Sequence, residues 1–439
     1  MTVMDDPGTV ERVALLIDRE RMREILQTRL PGLRAPGLVI DDCQIVHTRY
    51  RTSAEDARRG KAFLSVCYEL AVHGGAGGER HLFHVKAYRD GRSRQKFAEA
   101  SSAPTVPPPL GAAVTHLPEL DLVVWAFPND PKMLHLPEVI IREKLRRHLP
   151  YDRLAARSDA DVSIDVVRYK PEVRCITRYG LRTVALYGKT FKHDRARVIA
   201  GRIEALAGEL AEAEDAFVIA PPLGYSAAAR TVWQTELPGT PLPRAIERGG
   251  CQDLLARAAL GLARFHALRL PDLPRTTLAD RLAAAAAEAG ELAEAYPWLR
   301  ARLEEVVARL GEAAPRLPPA PDGLVHGDFL LKQLVVHGDR LGVFDFDNLA
   351  LGDPIQDLAN FIVDLGYHGF EARHVGAMTA AFLPAYRAHA GRDVPEARFL
   401  WHVSVQRLRD AYYFHKRRQL APGFTQEVES MLAGAEDPR

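Results

Sequence analysis

The stretch Leu324-Val325-His326-Gly327-Asp328-Phe329-Leu330-Leu331-Lys332-Gln333-Leu334-Val335-Val336 is followed, after a short turn, by Gly342-Val343-Phe344-Asp345-Phe346-Asp347. An apolar strand leads into a His-Gly-Asp turn, a second apolar strand follows, and a third delivers two acids at its end. Downstream lies Leu351-Gly352-Asp353-Pro354-Ile355-Gln356-Asp357-Leu358-Ala359-Asn360-Phe361, in which Asp357 stands at the start of an expected helix. His-Gly-Asp alone is an ordinary turn. The joint spacing of these acids is what sets the segment apart.

Phosphoryl transfer asks for a carboxylate that orients or deprotonates the acceptor hydroxyl, and for oxygen ligands that hold Mg²⁺ on the phosphates. This segment supplies both kinds. It resembles the catalytic loop and metal-binding motif of the aminoglycoside phosphotransferase and choline kinase-like superfamily, relatives of the protein kinases. The resemblance implies that Asp328 is the catalytic base and Asp345 the principal Mg²⁺ ligand. It also implies that Asp357, with His326, supports the loop. Gln333 stands where the superfamily usually has Asn, keeping the amide carbonyl with one more methylene. Maltokinases and glucosamine kinases carry Gln there too and place extra structure ahead of the kinase core, so the chain resembles these most. Asp347 is open between a metal or substrate contact and a solvated strand-end acid.

Upstream, a strand lysine followed by a helix glutamate makes the ion pair that orients ATP phosphates. Lys189 ends a strand and Glu204 follows on a helix, with Lys192 and Glu209 as alternatives. No Gly-x-Gly-x-x-Gly loop precedes Lys189; the hairpin there carries Lys170-Pro171-Glu172. Val232-Trp-Gln-Thr-Glu236-Leu237-Pro-Gly239 resembles the superfamily's hinge, which implies adenine binding at Glu236 and Leu237. His266, in Leu262-Ala-Arg-Phe-His266-Ala-Leu268, reads as a buried structural histidine.

The 439 residues exceed one ordinary core, and 47% hydrophobic with 26% charged residues is the composition of a soluble globular protein. No run approaches the ~18 apolar residues of a membrane helix, and Met1 to Glu20 lacks the features of a secretory signal, so a cytoplasmic location is expected. Cys43, Cys67, Cys175 and Cys251 stand singly, as reduced core residues do. A formal charge of +1 without long runs of one sign gives nucleic acid no footprint. Neither a nucleic acid nor a membrane partner is expected.

The pattern predicts one helix over Thr9 to Leu30, then strands at Leu38 to Arg51, Ala62 to Val72 and His81 to Tyr88. A surface loop over Ala100 to Leu110, a strand at Leu120 to Phe127 and a helix over Leu136 to Leu149 follow. Further strands come at Val162 to Tyr169, Arg174 to Leu181 and Thr183 to Phe191. From Leu242 onward the period is helical, including Leu278 to Leu310, apart from the β-rich Leu324 to Phe346. The two sheets echo each other. Thr48-Arg-Tyr50, Tyr68-Glu-Leu70 and Lys86 correspond to Val167-Arg-Tyr169, Tyr179-Gly-Leu181 and Lys189, which reads as a duplicated three-strand module. In the first copy the segment after Arg94 is read as too short for a helix and an acid partner, leaving Lys86 without an ion pair. The Phe127-Pro-Asn-Asp-Pro131-Lys132 segment reads as a loop.

The expected fold is α+β, protein-kinase-like and bilobal, with an N-terminal cap over 1–155, an N-lobe over 156–237 and a helical C-lobe over 238–439. The expected activity is ATP- and Mg²⁺-dependent transfer of the γ-phosphoryl group to a hydroxyl of a small-molecule acceptor. The rival reading is a pseudokinase, a nucleotide-dependent binding protein in which Gln333 marks lost catalysis. A protein kinase is disfavoured because no Ala-Pro-Glu segment follows Asp345. Arg407, Arg409, Lys416, Arg417 and Arg418 on the late helix favour a neutral or acidic sugar-like acceptor over an aminoglycoside.

Overall fold

The computed structural model describes residues 7–35, 37–51, 63–74, 79–154, 162–213, 217–418 and 424–437. The chain forms two compact units. One comprises Met1–Arg197, Tyr225–Trp233 and Phe414–Phe424; the other comprises Val198–Gly224, Gln234–Tyr413 and Thr425–Arg439. The expected boundary at 155/156 lies outside the described residues.

The first unit opens with two helices, Pro7–Ile17 and Arg19–Arg29, where a single one is predicted. Asp18 breaks the run. Its backbone is extended and its carboxylate accepts the Arg21 N–H, so it caps a new helix. Strands β1 (Val39–Arg51), β2 (Phe63–His73), β3 (Glu79–Ala87), β4 (Val114–Leu117) and β5 (Leu122–Ala126) form a sheet in the order β1-β2-β3-β5-β4. Alternation along these strands sorts the side chains. Val66, Tyr68, Leu70, Val85 and Val124 join Leu16, Met22 and Leu26 of the helices in one core. Ser65, Cys67, His84, Lys86 and Trp125 take the intervening positions and are also buried. The sheet thus has one apolar inner face and one buried polar face.

β6 (Ser163–Lys170), β7 (Arg174–Gly180) and β8 (Ala185–Phe191) make a second antiparallel meander, and strand Thr231–Thr235 lies beside β8. Gly188 of β8 sits where a Cβ would lie 2.8 Å from the Trp233 ring and 2.9 Å from the Tyr179 ring, so only glycine lets the strand pass these aromatics. Lys86 and Lys189 each occupy the third strand of their meander.

Further sequence expectations fail in this unit. After Lys86 the chain does form a helix, Arg92–Ser102, which takes the start of the segment read as a surface loop. Lys86 also has an acid partner, because Glu172 reaches it from the β6–β7 hairpin at 2.7 Å. Chain distance concealed that acid. The helix expected over Leu136 to Leu149 is two short pieces, Pro137–Ile140 and Arg142–Leu145, parted by an extended Ile141.

The second unit is mostly helical. Helix Leu278–Ala295 starts at a Thr277/Asp280 capping box and stops at Tyr296, because Pro297 has no N–H to continue it and forces its predecessor out of helical geometry. Helix Arg300–Ala313 resumes the period. Two small sheets sit among the helices. One orders Thr240–Pro241, Leu334–His337, Arg340–Val343 and Val218–Ile219; the other orders Arg275–Thr276, Ala350–Gly352 and Gly323–Val325. Phe217, Phe265, Phe329, Phe361 and Phe382 run through the interior, with ring centroids 4.5 Å apart for the last pair. Phe329 belongs to the deciding stretch, so this aromatic chain anchors its apolar side.

Candidate active site

Strand Gly323–Val325 delivers the His-Gly-Asp turn, and helix Ile355–Leu365 holds it. Asp357 is buried in the helix's first turn. Its Oδ2 accepts the His326 N–H at 2.7 Å, its Oδ1 accepts the Gly327 N–H at 2.9 Å, and His266 Nε2 lies 3.2 Å from Oδ2. Burial alone would raise this carboxyl, but His266 and His326 outweigh it and hold it below the ordinary value. His266 is itself buried, bonded through Nδ1 to the Tyr386 hydroxyl at 2.8 Å.

The same helix contributes twice more at helical spacing. Asn360 Nδ2 donates to the Gly327 carbonyl at 3.5 Å, and Asp364 Oδ2 accepts the Leu331 N–H at 2.7 Å. Positions 357, 360 and 364 are i, i+3 and i+7, one face of the helix. Sequence reading found the first and missed the other two, although this periodicity was there to find them. Gly327 turns the chain with φ 77°, and a Cβ there would meet the Asn348 carbonyl oxygen at 2.7 Å.

His326 is buried. Its Nε2 donates to the Phe344 carbonyl at 2.9 Å, and its Nδ1 accepts the Asp328 N–H at 3.3 Å, which ties the turn to the strand that ends at Asp345. Gln333 Nε2 donates to Asp328 Oδ2 at 3.4 Å, and the Phe344 N–H donates to the Gln333 carbonyl at 3.0 Å. Asp345 takes a left-handed φ of 69°, unusual for a residue with a side chain. The Asp328 carboxyl is raised above its ordinary value by burial first and by the charge of Asp345 second, while His326 opposes both. His326, Asp328, Gln333, Asp345 and Asp357 are thus gathered around one turn. Asp347 falls in the short helical turn Phe346–Asn348 beside it.

Gln333 and Asp345 with Asp328 offer a few hard oxygen donors. Mg²⁺ keeps several waters and takes further ligands from phosphates, so this set suits it. Among the described residues no group of three or more His, Cys, Asp or Glu could hold a metal by itself.

The remaining predicted residues fall as follows. Lys189 lies on β8 in the first unit, with its Nζ 5.5 Å from the Phe191 ring centroid. Glu204 lies on helix Ala196–Glu212 and belongs to the second unit. Glu236 and Leu237 follow strand Thr231–Thr235. Leu237 packs so tightly on Gly342 that a Cβ there would lie 2.5 Å from it. Asp353 accepts from Arg398 Nε at 2.5 Å, from His402 Nε2 at 2.7 Å and from the Ile355 N–H at 3.0 Å, so it braces the segment after the metal motif. Asp410, half-buried and near Asp364, accepts from Gln406 at 2.9 Å. The basic face expected on the late helix is in part engaged in packing, since Arg407 donates to the Gly434 carbonyl and Arg409 pairs with Glu288 at 3.3 Å.

Among the described residues no helix is long and apolar enough to cross a membrane. Cys43, Cys67 and Cys175 are buried free thiols, and Cys251 is half-buried.

Residues 193–400 match the family described as the phosphotransferase enzyme family. The chain is similar to solved structures at low identity. A choline/ethanolamine kinase family protein from Mesorhizobium loti is 16% identical, with 65% of this chain and 92% of that one covered and a TM-score of 0.46. A choline kinase from Cryptosporidium parvum is 10% identical, with 68% and 94% covered and a TM-score of 0.49. An aminoglycoside phosphotransferase from Streptomyces rimosus is 17% identical, with 57% and 93% covered and a TM-score of 0.39. No curated protein matches the chain. The chain is a mixed helix-and-sheet protein in which the turn at His326–Asp328 and the helix that holds it both lie within the stretch, 193–400, that matches the phosphotransferase enzyme family.

Proposed function

We propose that the protein transfers the γ-phosphoryl group of ATP to a hydroxyl of a sugar or amino sugar, with Mg²⁺ as cofactor, in the cytoplasm. The observation that carries this reading is the clamp of Asp357 on the His326–Asp328 turn, which holds one carboxylate beside Gln333 and close enough to Asp345 to feel its charge. Asp328 accepts the acceptor's hydroxyl proton as that oxygen bonds to the γ-phosphorus. The bond from this phosphorus to the β-bridging oxygen breaks, and ADP leaves with the electron pair. Gln333 and Asp345 would hold Mg²⁺, which neutralises charge on the phosphates when bound. His326 fixes the Asp328 backbone through its Nδ1, so the base is positioned before substrate arrives. Lys189 and Glu204 keep the phosphate-orienting role, and Glu236 and Leu237 the adenine contacts, that the sequence reading gives them.

The buried Asp364, which holds the loop at Leu331, and the half-buried Asp410 near it support an acceptor that carries an amine, since an ammonium group would neutralise them. The test is an ATP-consumption screen over sugars, amino sugars, amino alcohols and aminoglycosides. Turnover with an amino sugar supports the reading. ATP binding without turnover on any acceptor replaces it with the pseudokinase alternative.

A further inference from the structure

The first unit contains a cavity of about 690 Å³ between the buried polar face of its first sheet and the β6–β7 hairpin. At its floor Lys86 Nζ bonds Glu172 Oε1 at 2.7 Å, and Lys132 Nζ bonds Glu172 Oε2 at 3.0 Å, so two ammonium groups share one carboxylate. The Lys86 and Glu172 side chains are 7% and 3% exposed, whereas Lys132 is 43% exposed at the cavity's mouth. Burial alone would raise the Glu172 carboxyl, but Lys86, with His84 and Lys132 behind it, holds it down at about 2. Removing such charges from water is costly, and an apolar pair of the same volume is often as stable or more so. Stability alone does not account for placing a charged cluster here.

The walls are fixed before anything binds. Asp130 Oδ1 accepts the N–H groups of Lys132 and Met133 at 2.7 and 2.9 Å, and its Oδ2 accepts the Tyr169 hydroxyl and the Glu172 N–H, each at 2.7 Å. Asn129 bonds both backbone groups of Val106, at 2.8 and 3.0 Å. The Asp130 bonds lock the Asn129–Lys132 loop to the hairpin that carries Glu172, and the Asn129 bonds tie the same loop to Val106, so the lysine pair is held rather than free to rearrange. The lining carries five cations, among them Arg92 and Lys192, against three carboxylates, and Trp125 adds an apolar wall. Excess positive charge in a rigid, half-apolar cavity of this size selects a small organic anion.

We propose that this cavity binds a phosphate-bearing small molecule, its phosphate held by Lys132 and Arg92 above the Lys86–Glu172 pair and its body against Trp125. The site lies wholly within the first unit and is independent of the catalytic residues in the second.

The test is calorimetric titration of the full chain, without nucleotide or metal, using pyrophosphate and glucose 6-phosphate as probes and glucose as the neutral control. Saturable binding of either anion is expected, absent for glucose and weakened at least tenfold in Lys132→Gln/Arg92→Gln. Tighter binding of pyrophosphate points to a nucleotide-like polyphosphate ligand, and tighter binding of glucose 6-phosphate to a sugar phosphate. Should the double variant not fold, the single Lys132→Gln change, on a partly exposed side chain, gives the same comparison. No saturable binding of either anion, or binding indifferent to these substitutions, would overturn the proposal.

Discussion

Asp357 grips the turn that begins at His326 through the backbone, accepting the His326 N–H at 2.7 Å with one oxygen and the neighbouring Gly327 N–H at 2.9 Å with the other. A carboxylate fits this place because both of its oxygens only accept. In Asp357→Asn an amide NH₂ replaces one acceptor and faces an N–H group. A buried unsatisfied donor costs about 1–3 kcal/mol, so the variant should melt lower and lose activity by roughly tenfold or more. Thermal melting with steady-state kinetics checks this, and wild-type turnover in a folded Asp357→Asn protein would remove the clamp from the mechanism.

Asp328→Asn and Asp345→Asn should each abolish transfer, but differently. General-base help is worth roughly 10²–10⁴-fold, so Asp328→Asn should lose at least that much while still binding ATP. Asp345→Asn should weaken nucleotide binding when Mg²⁺ is present and change it little without metal. Titrations of ATP with and without Mg²⁺ separate the two roles, and full activity in either variant would sink the assignment.

Gln333 tests whether an amide suffices as a metal ligand. Gln333→Asn keeps a carbonyl and should retain measurable turnover, whereas Gln333→Leu should remove it. Equal rates in the two would show that this side chain does not touch the metal.

Asp410 gives a stability signature. Burial first, and Asp364 second, push its carboxyl up to about 7 from the ordinary 3.8. A raised acid pKa means the folded state holds its proton longer than the unfolded state does. Its contribution to stability therefore falls as pH rises from about 4 towards 7, then stays at that lower level. Asp410→Asn removes the ionisable group, so it should raise the melting temperature at pH 8 and change it little at pH 4. A melting series in pH for both proteins decides the matter, and parallel curves would contradict it.

The two strand lysines should part company. Lys189→Ala should cripple turnover, and Lys86→Ala should act mainly on stability, since it strips Glu172 of its buried partner. Removing one member of a buried pair costs about 3–5 kcal/mol, although Lys132 at 3.0 Å offsets part of that. Equal loss of ATP affinity in both would place the nucleotide site at the wrong lysine.

Much of this was legible in the chain because local rules govern it. Strand alternation gave both meanders, and the spacing of Asp328, Asp345 and Asp357 picked out residues that lie together around one turn. What escaped depends on distance in sequence. Glu172 meets Lys86 across 86 positions, and no periodicity announces such a pair. The breaks at Asp18 and Ile141 escaped because a helical apolar pattern survives a single extended residue. Asp364 and Asn360 were legible and overlooked, since they repeat Asp357 at helical spacing.

The return of residues 225–233 to the first unit bears on how the protein can be dissected. A fragment ending at Arg197 would lack strand Thr231–Thr235 and leave β8 with its N–H and C=O groups bare along one side. Bare strand margins template association between copies, so such a fragment should aggregate when produced alone. Work on the first unit in isolation therefore calls for a splice that carries 225–233 along, rather than a simple truncation.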